Sequence, residues 1–238
     1  MSARHQTAMS MALGLAILAG WLTLHIVGIF FYELPGSPWL TGGVVMLQTW
    51  LSAGLFIIAH DCMHGSFAPG RPRLNRAIGR LCAALYACFA YHGLDTNHHR
   101  HHGRPGTIDD PDFNARDPRA FLGWYFHFFA GYYTHAQILW ITAMALLYLA
   151  FGASLFNIVI FWAVPALLAS VQLFLFGTWL PHHHADAPFA DAHNARSTDV
   201  GWLTSFVTCF HFGGYHHEHH LHPALPWWAL PQARKRAE

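Results

Sequence analysis

Charged residues are scarce in this chain. Asp, Glu, Lys and Arg supply 11% of its 238 residues, where an ordinary soluble domain carries about 25%. So few charges could hardly solvate the outside of a water-soluble sphere of this size, and a hydrophobic content of 54% argues against a disordered chain. Neither sign is in surplus, with 13 Lys+Arg against 12 Asp+Glu, so the balance gives no reason to expect nucleic acid as a partner. Cysteine is sparse as well: Cys62, Cys82, Cys88 and Cys209 contain no CxxC pair and read as small buried residues, not as a disulfide framework. GxGxxG, CxxCH, HExxH and any four-cysteine cluster are all missing, so the chain offers no signature of a dinucleotide, haem, zinc-protease or iron–sulfur site. No repeat, Ser-rich linker or low-complexity tract divides it, and a single domain over 1–238 is expected.

Long apolar runs are what the chain has instead. A membrane-crossing helix needs about 20 apolar residues, and four stretches suit: 8–32, 41–60, 136–152 and 157–180. The first is longer than the apolar core of a signal peptide, about 7–15 residues. Between Ala120 and Ala185 there is no Asp, Glu, Lys or Arg; 152–157 is the expected bend, Pro165 a tolerated kink, and the aromatic segment 121–133 suits the headgroup level. Residues 77–94 are apolar too, but Arg71, Arg73, Arg76 and Arg80 crowd their start, which favours an interfacial or re-entrant helix over a full span. Four spans place all 13 Lys and Arg on one side, which the positive-inside rule makes cytoplasmic. The expectation is an all-α integral membrane protein, with four transmembrane helices and a cytoplasmic helical cap.

Histidine is the abundant polar residue, at 21 copies. HDCMH puts His60 and His64 four apart, on one helical face. HHRHH gives His98, His101 and His102 at i, i+3 and i+4, HHEHH repeats that spacing as His216, His219 and His220, and His182 follows the last apolar run. Independent structural uses would not repeat one spacing on one side of the membrane, so the cluster reads as a metal site. Nine imidazoles exceed what one ion takes, implying two ions with four or five ligands each; imidazole suits zinc, copper, iron and nickel alike. The free N–H of a ligating imidazole needs an acceptor: Asp61, Asp109, Asp110, Asp112 and Glu218 are near in sequence, and Asp61 and Asp112 are the expected ones. His99, His183, His184, His193, His211, His217 and His222 fall outside the ligand spacing and read as surface residues; His25 and His127 read as packing residues.

HxxxH, HxxHH and HxxHH after a membrane hairpin resemble the eight-histidine signature of the membrane fatty-acid desaturase and hydroxylase superfamily. The strings AHDCMHGS, PGRPRLN, GTIDDPDF, FGTWLPH, FADAHNARS, TCFHFGGYHHEHHLHP and PWWALP resemble its bacterial β-carotene 4-ketolase branch, from about Gln48 to Gln232. The resemblance implies a non-haem di-iron centre on the eight box histidines, with His182 matching an extra ligand of related desaturases. It implies O2-dependent oxidation of carbon 4 of a β-ionone ring, by two hydroxylations and loss of water, taking β-carotene to echinenone and canthaxanthin and, on hydroxylated rings, zeaxanthin toward astaxanthin. The carotenoid would enter from the bilayer of the bacterial inner membrane, and electrons would come from a ferredoxin-like donor. A carotene 3-hydroxylase or an acyl-lipid desaturase would share the same metal site. A His-rich metal transporter would instead place ionisable ligands within its spans, whereas these histidines cluster outside them.

Overall fold

The computed structural model describes residues 1–184 and 187–237; Ala185, where the charge-free stretch ends, and the Arg236 side chain lie outside the described residues. Every regular element among the described residues is helical. Helix α1 (Ala3–Phe30) starts at Ser2, whose hydroxyl accepts from the His5 N–H, and α2 (Pro38–Met63) starts with proline, which lacks the N–H that a first turn cannot use. After them come α3 (Pro72–Ala87), α4 (Tyr91–Gly103), α5 (Phe121–Tyr132) and α6 (His135–Ala150). A long helix, α7 (Leu155–His182), runs back, and short helices α8 (Trp202–Thr208), α9 (His216–Leu221) and α10 (Leu230–Ala237) close the chain.

Three of these, α1, α2 and α7, are long and apolar enough to cross a membrane. They match the expected spans 8–32, 41–60 and 157–180. The expected 136–152 span is α6, 16 residues or about 24 Å of helix, shorter than the roughly 30 Å hydrocarbon core. It qualifies as a span only together with α5, from which it is bent by 83°. Residues 77–94 also run into a bend: α3 stops at Cys88 in a left-handed conformation, and α4 leaves at 103°. The turn before α7 is tighter than 152–157, because Gly152 takes a left-handed φ of 89° and Ser154 caps Asn157.

Asn157 therefore sits inside the helix, where its side-chain amide donates to Gly28 O at 2.8 Å and Tyr32 O at 2.7 Å. These carbonyls lie in and just past the last turn of α1, which has no helical N–H left to offer them, so α1 and α7 are joined at the end of the molecule away from His60 and His182. The helices meet closely there, since a Cβ on Gly28 would lie 2.7 Å from Phe161. Along α7 two π-turns, Val159–Ala163 and Leu175–Trp179, each precede a proline, Pro165 and Pro181; the missing proline N–H breaks the i to i−4 ladder and the wider turn takes up the slack. Leu139, Trp140, Leu146, Phe156 and Leu167 stand exposed on α6 and α7, an apolar exterior suited to lipid.

Candidate metal centre

The histidines gather where helices end. His60 and His64 stand at the end of α2, His98, His101 and His102 in the last turns of α4, and His182 closes α7. His216, His219 and His220 occupy α9. The C-terminus of a helix carries a partial negative charge that favours a cation within its last turn, and three of the longer helices aim that end at the same place.

All nine expected ligands fall into two sets. His60, His64, His98, His102 and His219 bring one ring nitrogen each to within 4.8 Å of one another, and His101, His182, His216 and His220 do the same. Facing nitrogens are close: His64 Nε2 to His98 Nε2 is 2.7 Å, His102 Nε2 to His219 Nε2 2.9 Å, and His216 Nε2 lies 3.0 Å from both His182 Nε2 and His220 Nε2. A neutral imidazole has one N–H and one lone pair, so three Nε2 atoms converging on one point cannot all be matched by protons. A shared cation matches them, and the all-imidazole donor set suits iron among others.

Orientation of two rings is fixed from outside. His101 Nδ1 lies 2.9 Å from Asp110 Oδ2 and His182 Nδ1 2.7 Å from Asn194 O. A carboxylate and a carbonyl only accept, so both Nδ1 atoms donate and both Nε2 lone pairs point inward. Asp110 also accepts from the Gly106 and Asp112 N–H groups, which holds the carboxylate rigid. Burial, reinforced by the neighbouring imidazoles, holds His216, His219 and His220 well below the ordinary histidine range and pushes His64 down to about 2. These rings are neutral at physiological pH, the form that binds metal.

The two expected acceptors lie elsewhere than against a ring N–H. Asp112 is 4.0 Å from His101 Nδ1 and receives the Tyr132 hydroxyl at 2.5 Å; burial pushes its carboxyl up to about 6. Asp61 is 3.7 Å from His60 Nδ1, beyond a hydrogen bond, and instead accepts the Trp227 N–H at 3.1 Å, tying α2 to the C-terminal segment. Asp109 pairs with Arg104 at the surface, and Glu218 accepts from Ser197.

Two lone histidines differ from their reading. His211 is buried, not at the surface: its ring stacks on Trp50 with centroids 4.0 Å apart and abuts Trp227 and Phe206, and neither nitrogen has a hydrogen-bond partner among the described residues. Phe210, His211 and Phe212 form a left-handed run, at φ 37°, 58° and 69°, which turns the ring inward against Gly54, where a Cβ would come within 2.9 Å of it. Burial pushes this imidazole down to about 3, so it packs as a neutral ring. His127 stands exposed on α5, whereas His25 packs as expected, stacked on Trp21 with its Nε2 2.9 Å from the Tyr148 hydroxyl.

A cavity of about 530 Å³ opens from the histidines. His60, His98, His101, His216 and His219 line one end, and mostly apolar side chains of α2, α3, α5, α6 and α7 line the rest, as far as Leu155. The arrangement can hold two cations side by side and present an apolar substrate to them out of contact with water.

Relatives match the chain over most of its length. A beta-carotene ketolase of Paracoccus sp. strain N81106 / MBIC 01143 is 45% identical over 232 residues, 98% of this chain and 95% of the relative. A second beta-carotene ketolase, from Paracoccus sp. strain PC1, is 48% identical over 229 residues, 96% and 93% of the two chains. A zeaxanthin 4-ketolase of Chlamydomonas reinhardtii is 36% identical over 241 residues, covering 95% of this chain and 53% of the algal protein. Fatty acid desaturase sequences match residues 37–143 and 134–238, stretches that contain all nine clustered histidines, and the chain belongs to the fatty acid desaturase family.

Proposed function

We propose that the chain is a β-carotene 4-ketolase whose nine clustered histidines hold two iron ions. One ion would be held by His60, His64, His98, His102 and His219, the other by His101, His182, His216 and His220. The observation that carries the reading is the two imidazole sets standing together at one end of a long apolar cavity. Its support from relatives is the 45–48% identity to two beta-carotene ketolases. The two irons, with O2 and electrons from a ferredoxin-like donor, supply the oxidant that an unactivated ring C–H bond needs. Each hydroxylation takes one oxygen atom of O2 into a C4–H bond and releases the other as water, using two electrons and two protons. A second hydroxylation at the same carbon gives a geminal diol, which loses water to leave the ketone.

The chain's own groups position the parts. Asp110 and the Asn194 carbonyl set the His101 and His182 rings, and the apolar walls keep water from the reacting ring. The orientation we propose places both termini and the histidines on the cytoplasmic side of a bacterial inner membrane, following the 13 Lys and Arg. There a soluble electron donor has access, while the carotenoid arrives from the bilayer.

Pigments from a β-carotene-producing bacterial host carrying the intact chain or His219→Ala, separated by chromatography and identified by mass, test the reading. Echinenone and canthaxanthin are expected with the intact chain, and at least a hundredfold less with the variant. Zeaxanthin in their place would make the chain a 3-hydroxylase with the same metal site. Unchanged β-carotene beside folded, iron-loaded protein would overturn a carotenoid substrate altogether.

A further inference from the structure

The cavity is far longer than one ring. It is lined by Thr178 near the histidine end of α7 and by Leu155 at its beginning, positions 23 residues apart and so separated by roughly 34 Å of helix. Its imidazoles and carboxylates, Asp61 and Asp112 among them, lie toward the histidine end, and Gln137 and Ser170 add two neutral polar groups farther along. At the other end the walls are Leu155 together with Ile141, Ala145, Ile158 and Trp162, the last four part of an apolar cluster packed around Phe161. Along the side the wall is open to the exterior of the helix bundle: Ile138, Val159 and Leu167 line the cavity and are still 42%, 43% and 54% exposed.

A rigid rod is the occupant this shape suits. A C40 carotenoid with a ring at each end extends about 30 Å, matching the hydrocarbon thickness of a bilayer, and it could slide in sideways between α6 and α7. A flexible acyl chain would need neither the length nor the straightness. We propose that the end formed by Ala145, Leu155, Ile158 and Trp162 is a distal subsite, which receives the unreacted ring of a bicyclic carotenoid while the other ring lies at the histidines. This assignment rests on the ketolase reading. Trp162 gives the subsite a flat aromatic surface beside Tyr148, suited to stacking on an unsaturated ring, and Ala145 leaves the width that a ring requires.

Narrowing that end discriminates between substrates that differ only there. β-Carotene has a ring at both ends, whereas γ-carotene has one β-ring and a slim acyclic end. Membranes holding the full chain or Ala145→Trp are given an equimolar mixture, and iron content is measured on the same preparations. The ratio of ketolated β-carotene to ketolated γ-carotene is expected to fall at least tenfold in Ala145→Trp, and to fall less, in the same direction, in Ala145→Leu. Should the tryptophan variant lose its iron, the leucine variant decides. An unchanged ratio, or equal loss on both substrates in iron-loaded protein, overturns the subsite alone. Absence of ketone from either substrate with the unsubstituted chain removes the ketolase reading and the subsite with it.

Discussion

Asp110 and Asp109 are adjacent in sequence and do different work. Asp110 is buried and takes the His101 N–H at 2.9 Å, while Asp109 is 59% exposed and pairs with Arg104. Removing an acceptor of this kind lowers metal affinity by about 10–100-fold. Asp110→Ala is therefore expected to lose iron to a chelator at concentrations 10–100-fold lower than the intact chain, with Asp109→Ala unchanged; iron retained after graded dialysis measures it. Helical spacing made eight of the nine clustered histidines legible, because i, i+3, i+4 repeats leave a mark in any helix, and His182 was marked only by its place just past the last apolar run. Which aspartate would meet His101 was not legible, since that is decided by the fold of the 104–112 loop, where Asp110 also gathers the Gly106 and Asp112 N–H groups. His211 was hidden for a related reason: a left-handed run of non-glycine residues leaves no signature in composition, and it alone turns the ring inward.

Among the elements, α1 and α7 depend on each other through one side chain. Asn157 satisfies two carbonyls near the end of α1, at Gly28 and Tyr32, and hydrogen bonds between membrane helices contribute about 0.6–2 kcal/mol each. Asn157→Leu is thus expected to destabilise the folded protein by about 1–3 kcal/mol, seen as a lower thermal midpoint in detergent, with ketone formed per folded, iron-loaded molecule preserved. The spans themselves were legible because their boundaries coincide with the return of charge and proline. Bends were not, as nothing in the apolar composition of 121–150 distinguishes one straight helix from α5 and α6 meeting at 83°. The π-turns of α7 were equally silent; only Pro165, read as a kink, hinted that the ladder is interrupted there.

At the scale of the whole molecule, chemistry is confined to one end. Both imidazole sets stand at the end where α2, α4 and α7 terminate, and the cavity runs away from them toward Leu155. A rod about as long as the bilayer core has no room to turn around inside such a slot. With the rod seated as proposed, the two rings of a symmetrical carotenoid would be oxidised on separate visits, and between them the half-finished molecule would return to the lipid and re-enter reversed. Turnover is then distributive: if isotopically labelled β-carotene is chased with excess unlabelled β-carotene early in the reaction, the label should remain in the mono-ketone, whereas a processive enzyme would carry it through to the diketone. How far a membrane's pigment progresses from one ketone to two would depend on the number of enzyme copies per carotenoid molecule, a property of the cell that no single residue sets.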